Sequence, residues 1–334
     1  MMRSRRWLVA TVAVAMLVVL AACGSSSGSK SGGSSDSGSG SGDKWGGSVT
    51  IAVNPWDGSA ANAEVAKAIL EKQGVTVALK DIDENAVWAG LDSGSIDANL
   101  EVWPSGHASD IDTYIKEKKS VVDAGLLGPN GHIGWYIPDF VAQAHPEYKT
   151  WEGLKSAAAA KYFATAETGD KGQFLLGDPS YVSYDKDIIK NLDLPFQVVV
   201  GGSEATLITT IDKAFKDKTP LLFYFYEPQW AQSKYKLDVV KLPDISKQCE
   251  VSAADQGKDG KYACDYPTDK LMKTVSADLK SKNPKVYEFL KKMNWTSEDQ
   301  NTVTTYKNAD DMSMAAAAKK WVDANPTVWQ SWVQ

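Results

Sequence analysis

The sequence predicts an α/β protein with two lobes, each a mostly parallel sheet flanked by helices, and a ligand cleft between the lobes. From Ser48 onward, short apolar segments typical of strands alternate with segments that show helical spacing. The chain has 334 residues, of which 43% are hydrophobic, and this is enough for a large core. In such folds, ligands bind beyond the carboxyl ends of the strands.

The individual elements follow from periodicity and from capping residues. An apolar run predicts a strand, apolar residues three and four apart predict a helix, and Gly94 is placed to end one helix. We expect strands over residues 48–54, 75–79, 97–103, 197–200 and 221–226, and helices over 62–72, 85–93, 151–163 and 204–216. The last part differs and predicts four consecutive helices over residues 284–293, 297–306, 309–322 and 326–333.

The first residues predict export. Three arginines precede an apolar run over residues 7–20, and Leu20-Ala21-Ala22-Cys23 follows, so residues 1–22 are typical of a secretory signal peptide. The alternative, a short transmembrane anchor, has an apolar run that is short for a membrane span. The last four of these residues resemble the lipobox of bacterial lipoproteins, which implies a lipidated Cys23 at the extracytoplasmic face of the membrane, with no other contact to the membrane.

Residues 23–46 are predicted to be the lipidated cysteine and a flexible linker, because residues 24–42 are Gly or Ser with only two exceptions. Beyond Cys23 the chain has two further cysteines, Cys249 and Cys264. An extracytoplasmic compartment permits them to pair, so we expect a disulfide between them.

Charge excludes one class of partner and weakens another. The formal net charge is −6, and Arg3, Arg5 and Arg6 are the only arginines. A protein that binds nucleic acid needs a basic face, so we expect no nucleic-acid partner. Arginine is the usual bidentate partner of carboxylates and phosphates, so free amino acids and phosphorylated metabolites are poor candidates for the ligand.

An exported, tethered α/β protein of two lobes has the organisation of a solute receptor for a membrane importer, and two other classes of protein compete with this interpretation. A secreted α/β hydrolase needs a nucleophile elbow, but the nearest string, Gly201 to Ala205, lacks the final glycine and is typical of a helix N-cap at Ser203. A zinc receptor would have to use His107, His132 and His145, whose separations match no close metal motif. We therefore expect no metal, no cofactor and no catalysis.

Aromatic residues lie at the ends of several predicted strands, between residues that form loops. Core packing explains a single tryptophan, but loops at strand ends line the cleft of an α/β protein. A box of such rings suits a cation without hydrogen-bond donors, such as trimethylammonium, and sugar stacking is the competing use. The residues in question are Trp56, Trp103, Trp135, Tyr136, Tyr181 and Tyr226.

Three motifs give the chain a family resemblance. They are VWAGLDSGSIDANLEVWPSGH (residues 87–107), YEPQW (residues 226–230) and FLKKMNWTSED (residues 289–299). From about Ser48 to its C-terminus, the chain resembles the glycine betaine, choline and proline betaine binding proteins of ABC importers. The resemblance implies a type II periplasmic-binding-protein-like fold and a receptor that delivers a small quaternary amine to a permease powered by ATPase subunits.

The resemblance also implies roles for single residues. Positions that match Trp103 and Tyr226 form the cage around the quaternary nitrogen in the family, although many members have Trp in place of Tyr226. Trp56 and Tyr136 match further walls in the choline-binding branch, and these two residues, with the first pair, are predicted to bind the ligand. Tyr181 and Trp295, which match walls that other branches use, are also predicted to bind the ligand.

The other end of the ligand needs a different partner. Asp57 suits the hydroxyl of choline, or else caps the following helix. A betaine carboxylate needs donors, for which His107, Ser105, a lysine and backbone N–H groups are the candidates.

We expect lobe 1 to combine residues 47–136 and 230–334, and lobe 2 to comprise residues 137–229.

Overall fold

The computed structural model describes residues 44–246 and 262–334. Within these residues nine strands form one sheet. In chain order they are β1 Ser48–Val53, β2 Thr76–Asp81, β3 Ala98–Val102, β4 Val121–Pro138, β5 Gly172–Leu176, β6 Phe196–Val200, β7 Phe223–Glu227, β8 Leu237–Val240 and β9 Thr268–Ser276.

Helices cover the sheet. They are α1 Asp57–Lys72, α2 Glu84–Ser93, α3 Ala108–Asp110, α4 Asp139–Ala144, α5 Trp151–Leu154, α6 Ala157–Phe163, α7 Asp185–Asn191, α8 Glu204–Asp217, α9 Ala231–Lys234, α10 Leu279–Lys282, α11 Pro284–Lys292, α12 Ser297–Asn308, α13 Met314–Ala324 and α14 Pro326–Trp329. A π-helical segment, Ile111–Glu117, follows α3, and two 3₁₀ helices span Pro146–Lys149 and Gln330–Trp332.

The sheet is mixed, with the order β2-β1-β3-β9-β4-β7-β5-β6 and β8 paired to β4. At its two ends the strands are parallel, as predicted: β1 pairs with β2 and β3, and β5 pairs with β6 and β7. Its centre is antiparallel, because β4 runs opposite to β7, β8 and β9. The expectation of mostly parallel strands therefore describes the ends of the sheet and not its middle.

The 18-residue strand β4 connects the two ends of the sheet. Its first two thirds pair with β9, from Val121 opposite Ser276 to His132 opposite Thr268. Its last third pairs with β7 and β8. Gly125 and Gly128 have φ angles of +90° and +123°, and the register of the β4–β9 pair shifts on both sides of Leu126. These bulges let one strand serve both halves of the sheet.

Most of the predicted elements are present, with changed boundaries. The predicted helix over residues 151–163 is two helices, because Ser156 caps α6 by accepting a hydrogen bond from the N–H of Ala159 at 3.1 Å. The predicted helix over residues 309–322 begins only at Met314, where the hydroxyl of Ser313 caps α13. Gly94 has a φ angle of +71° and ends α2, as expected.

The beginning and the end of the folded chain pack together. Helix α1 contacts both α12 and α13, and β3 pairs with β9. Trp45, which falls in the predicted linker, already belongs to this fold: its ring lies 6.4 Å from that of Phe289, and its N–H donates to the carbonyl of Gln73. By their contacts, the described residues belong to one unit, and the limits of the two lobes stay a prediction.

Several predictions lie outside the described residues. They are the signal peptide over residues 1–22, the lipidated Cys23 and Cys249. Cys264 is 1% exposed and disulfide-bonded, and the identity of its predicted partner, Cys249, stays a prediction. In the described part of the chain, no helix has the length and apolar character that a membrane crossing requires.

Candidate functional site

A cavity of about 30 Å³ lies among the carboxyl-terminal ends of the strands. Seven aromatic side chains line it, together with Glu84, Ser105, Gly106, Ile133 and Val182. The aromatic residues are Trp56, Trp103, Tyr181, Tyr184, Tyr224, Tyr226 and Tyr266. None of the described residues that line the cavity is a lysine, an arginine or a histidine.

The strands place these rings. Trp56 follows β1, Trp103 follows β3, Tyr181 follows β5, and Tyr226 lies near the end of β7. Strand ends at one edge of a sheet bring residues that are distant in sequence to a single site. Four of the six aromatic residues predicted at strand ends thus line one cavity, and the other two, Trp135 and Tyr136, do not.

These four rings form two edge-to-face pairs. The centroids of Trp103 and Tyr226 are 5.8 Å apart with an interplanar angle of 89°, and those of Trp56 and Tyr181 are 5.8 Å apart at 77°. Such pairs are a favoured aromatic geometry and hold each ring in a fixed orientation. Gly131 of β4 makes room for Trp103, because a Cβ at this position would lie 2.4 Å from the indole ring.

Glu101 of β3 joins the two tryptophans from behind. Its Oε1 atom accepts hydrogen bonds from the indole Nε1 of Trp56 at 2.7 Å and of Trp103 at 3.1 Å. Its Oε2 atom accepts from the side-chain amides of Asn62 at 2.6 Å and Gln300 at 3.2 Å. Burial raises the pKa of Glu101 to about 7, although the four hydrogen bonds act in the opposite direction.

Glu204, at the start of α8, holds Tyr226 in the same way that Glu101 holds the two tryptophans, by accepting a hydrogen bond from the side chain. It accepts a short hydrogen bond from the Tyr226 hydroxyl, one from the amide of Gln229 at 3.1 Å, and one from the backbone N–H of Asp57 at 2.7 Å. Burial, and then the negative charge of Asp57, raise the pKa of Glu204 to about 7. Carboxylates therefore stand behind three of the rings that line the cavity.

The tyrosines Tyr184, Tyr224 and Tyr266 line the cavity but were not predicted. The hydroxyl of Tyr266 donates to Asp185 at 2.9 Å and accepts from the backbone N–H of Tyr184 at 2.8 Å. The hydroxyl of Tyr184 is buried and has no hydrogen-bond partner among the described residues. Burial raises the pKa of Tyr184 to about 12, so this hydroxyl keeps its proton at neutral pH.

Two of the predicted wall residues lie elsewhere, in the hydrophobic core. Tyr136 of β4 is 1% exposed and packs against Phe223 and Phe225, with ring centroids 6.2 and 6.0 Å away. Trp295 is 2% exposed and stands edge to face with Trp321 at 5.1 Å. Neither residue lines the cavity, because the strand or loop that carries it points its side chain into the packing between sheet and helices.

The two predicted polar contacts also lie outside the lining of this cavity. The carboxylate of Asp57 binds Lys307 Nζ at 3.0 and 3.2 Å and the amide of Asn308 at 2.7 Å. It does not cap α1, whose N-cap position is Trp56. Asp57 instead borders a neighbouring, more polar cavity of about 320 Å³, together with Glu204 and Lys307.

His107 is buried behind the cavity, not in its wall. Its Nε2 atom lies 2.9 Å from Glu84 and its Nδ1 atom 3.1 Å from Asp110. Burial lowers the pKa of His107, but the bonds and charges of Asp110 and Glu84 more than offset this and raise it to about 9. Glu84 lines the cavity, and its other oxygen accepts from the N–H of Val182 at 2.7 Å.

The serine and the histidines considered for a hydrolase or a metal receptor make local structural contacts. The hydroxyl of Ser203 caps α8 by accepting from the N–H of Thr206 at 3.1 Å, as its sequence context indicates. His132 lies 3.7 Å from Asp265, and His145 lies 3.2 Å from Glu147. Within residues 44–246 and 262–334, no cluster of histidine, cysteine, aspartate and glutamate is suited to hold a metal ion.

An open mixed sheet flanked by helices is the architecture of periplasmic-binding-protein-like folds, and the aromatic cavity lies at the ends of its strands. The chain belongs to the family described as the substrate binding domain of ABC-type glycine betaine transport systems, whose model matches residues 47–324. Members of this family are extracytoplasmic receptors of ABC transporters and not enzymes.

Known proteins agree with this assignment. The trimethylamine N-oxide-binding protein of Pelagibacter ubique (strain HTCC1062) is 26% identical over 290 residues, which cover 84% of this chain and 89% of that relative. The glycine betaine/L-proline-binding protein from Borrelia burgdorferi has a TM-score of 0.67 at 18% identity, covering 86% of this chain and 97% of that one. An ABC-transporter choline binding protein in complex with choline has a TM-score of 0.66 at 21% identity, covering 86% and 91%.

Proposed function

We propose that the aromatic cavity binds a small quaternary or trimethylated amine by cation–π contact and that the receptor delivers it to an ABC permease. The observation that carries this proposal is the placement of Trp56, Trp103, Tyr181 and Tyr226 around one cavity whose described lining has no basic side chain. Faces of electron-rich rings attract a cation that has no hydrogen-bond donors. A quaternary ammonium group has no N–H of its own, so it needs no hydrogen-bond acceptor in the cavity.

The acids behind the rings favour a cation over a sugar. A sugar needs several polar side chains that are free to bind its hydroxyls, but Glu84 already pairs with His107, and Ser105 donates to Asp269 at 2.6 Å. Above pH 7, where they are ionised, Glu101 and Glu204 add negative charge close to the cavity. Two of the three similar proteins named above bind trimethylamine N-oxide and choline, whose common chemical feature is a trimethylated, positively charged nitrogen.

Tyr184 is the proposed partner of the oxygen-bearing end of the ligand. Tyr184 lines the cavity, and its buried hydroxyl keeps its proton and has no partner among the described residues. An alcohol, a carboxylate or an N-oxide oxygen accepts a hydrogen bond from such a group. This role replaces the sequence-based candidates Asp57 and His107, whose polar atoms are already engaged.

The lobe assignment is part of the proposal. The packing of α1 on α12 and α13 supports a lobe that combines residues 47–136 with the end of the chain, and residues 137–229 hold β5, β6 and β7. The segment after residue 229 begins beside lobe 2, because β8 pairs with the end of β4 and Lys241 bridges to Thr150. Export, a lipidated Cys23 and delivery to the permease and its ATPase complete the proposed function.

Calorimetric titration of the purified protein tests the proposed function. The ligands are choline, glycine betaine, carnitine, proline betaine and trimethylamine N-oxide, with glucose as the stacking control. We expect at least one trimethylated amine to bind with a micromolar Kd, which corresponds to a binding free energy of about 8 kcal/mol. Glucose should not bind. If glucose binds as tightly as the best amine, or if none of the five amines binds, the proposal is wrong.

A further inference from the structure

The carboxylate of Glu101 is a buried acceptor that is surrounded by donors. The side chain is 1% exposed, and four N–H groups, from Trp56, Trp103, Asn62 and Gln300, point at its two oxygens. A protonated carboxyl would direct its own O–H at one of these donors. The arrangement therefore suits the ionised form, which only accepts hydrogen bonds.

This negative charge has no cation beside it. Among the described residues, no lysine or histidine forms an ion pair with Glu101, and its neighbours are neutral amides and indoles. A buried charge without a counter-ion is costly. By contrast, the buried Glu84 carboxylate has His107 at 2.9 Å.

The missing counter-charge has a place on the other side of the indole rings. Trp56 and Trp103 bind Glu101 through their Nε1 edges and also line the cavity, so a single ring separates the carboxylate from a bound ligand. A carboxylate that accepts from an indole N–H also increases the electron density of the ring. Both effects strengthen the attraction for a cation in the cavity.

We propose that Glu101 is the specificity-determining residue of this site: its buried charge, transmitted through Trp56 and Trp103, selects a cationic ligand over an uncharged molecule of the same shape. This inference rests on the proposed function, because it presupposes that the cavity binds a quaternary amine. The aromatic rings alone distinguish a cation from an uncharged molecule only in part. In this proposal the buried acid Glu101 provides the rest of that selectivity.

A substitution that removes the charge but keeps the hydrogen bonds is available. In Glu101→Gln, the amide oxygen still accepts from both indoles. Its NH₂ group needs acceptors, and Asn62 Oδ1 and Gln300 Oε1 are both buried without a partner among the described residues. Rotation of either amide presents that oxygen, so the glutamine has a place in the existing network. Glu101→Asp does the reverse, because it keeps the charge and shortens the reach to the rings.

The test compares choline with 3,3-dimethylbutanol, its uncharged carbon isostere, by calorimetry at pH 8, above the pKa of Glu101. For Glu101→Gln we expect choline to lose roughly tenfold or more in affinity and the isostere to change by less than about threefold. Glu101→Asp should keep more of the preference for choline than Glu101→Gln does. Glu71→Gln, at the exposed end of α1, removes the same unit of charge from the surface and should leave both affinities unchanged.

The outcomes separate the two proposals. If the wild-type protein binds neither choline nor any other trimethylated amine, the proposed function fails. If it prefers choline and Glu101→Gln keeps the same preference, only the role of Glu101 is overturned. A Glu101→Gln protein that does not fold, judged by near-ultraviolet circular dichroism, leaves the decision to Glu101→Asp: retained preference for choline supports the role of the charge, and loss of that preference contradicts it.

Discussion

The indole of Trp103 and the phenol ring of Tyr226 stand edge to face, with centroids 5.8 Å apart and an interplanar angle of 89°. The two residues come from different ends of the sheet, Trp103 after β3 and Tyr226 from β7. Their contact closes one side of the cavity, and each ring is fixed from behind by a carboxylate, Glu101 or Glu204. Each carboxylate belongs to the same proposed lobe as the ring it holds, so each ring keeps its orientation on its own side of the cavity.

The first prediction concerns the ring of Trp103. Trp103→Phe should bind choline more weakly than the wild type, and Trp103→Ala more weakly still, because phenylalanine keeps a π face and alanine does not. One ring contributes about 0.5–2 kcal/mol to the binding of a desolvated cation, so the alanine variant should lose up to about thirtyfold. Calorimetry measures both variants, and equal affinities of Trp103→Phe and Trp103→Ala would contradict cation–π binding by this ring.

The second prediction concerns the hydroxyl of Tyr184. Tyr184→Phe should weaken the binding of choline or glycine betaine by roughly five- to tenfold, the loss of one hydrogen bond of about 1 kcal/mol. Tetramethylammonium has no oxygen, so its affinity should not change. Tyr306→Phe, in α12 outside the cavity lining, is the control. An equal loss for tetramethylammonium would show that Tyr184 acts only through its ring.

For four aromatic residues the sequence predicted a shared location, because their neighbours and their positions in the chain agreed. Trp56, Trp103, Tyr181 and Tyr226 each lie between loop-forming residues at a strand end, and all four line the cavity. Tyr136 failed this reasoning because β4 is buried on both faces at that point, so Trp135 and Tyr136 are both in the core and alternation carries no information.

Three other features of the fold and the site left little trace in the sequence. Strand β4 itself was not predicted, because its glycines and two prolines normally end strands, whereas here the strand continues through bulges on both sides of Leu126. Tyr266 reaches the cavity from the residues before β9, a contact across the whole fold that no local pattern reveals. Glu101 left one usable sign, an acid within the otherwise apolar end of β3, and only the structure shows the four donors around it.

The third prediction concerns stability and pH. The pKa of His107 is raised from 6.5 to about 9 in the folded protein, so its contribution to the free energy of unfolding is complete below pH 6.5 and disappears as the pH rises through 9. The charged groups that face it are Glu84, Asp110 and, at longer range, Asp269. The contribution is on the order of 3 kcal/mol at most.

Denaturant unfolding of the wild type and of His107→Gln between pH 6 and 9.5 measures this effect. The variant should be clearly less stable at pH 6, and the difference between the two proteins should shrink steadily as the pH approaches 9.5. A difference that stays constant over this range would mean that protonated His107 does not stabilise the fold.

The fourth prediction concerns the N-terminus. If Cys23 carries the lipid, Cys23→Ser should move the protein from the membrane fraction to the soluble fraction of the compartment outside the cytoplasm. The thioether-linked lipid would hold the protein on the membrane through the burial of its acyl chains, and serine cannot carry such a lipid. Fractionation followed by mass measurement of the mature N-terminus checks this, with Ser29→Ala, in the Gly/Ser-rich stretch after Cys23, as the control. Unchanged membrane association of Cys23→Ser would refute the anchor.

The last prediction concerns closure of the proposed lobes. Three hydrogen bonds join residues on the two sides of the cavity: Tyr181 donates to the carbonyl of Pro55 at 3.0 Å, Val182 to Glu84 at 2.7 Å, and Asp57 to Glu204 at 2.7 Å. With these bonds made, the cavity measures about 30 Å³, space for only one or two water-sized groups, so a trimethylammonium ligand enters only if the sides move apart. Small-angle scattering should therefore show a larger radius of gyration without ligand than with saturating choline or glycine betaine, as hinge closure requires.

Tyr181→Phe removes one of the three bonds and keeps the ring, so it should weaken ligand binding slightly and leave the ligand-free particle as extended as the wild type. Scattering curves that coincide with and without a ligand shown by calorimetry to be bound would rule out closure and would indicate that the ligand enters through local movement of the rings.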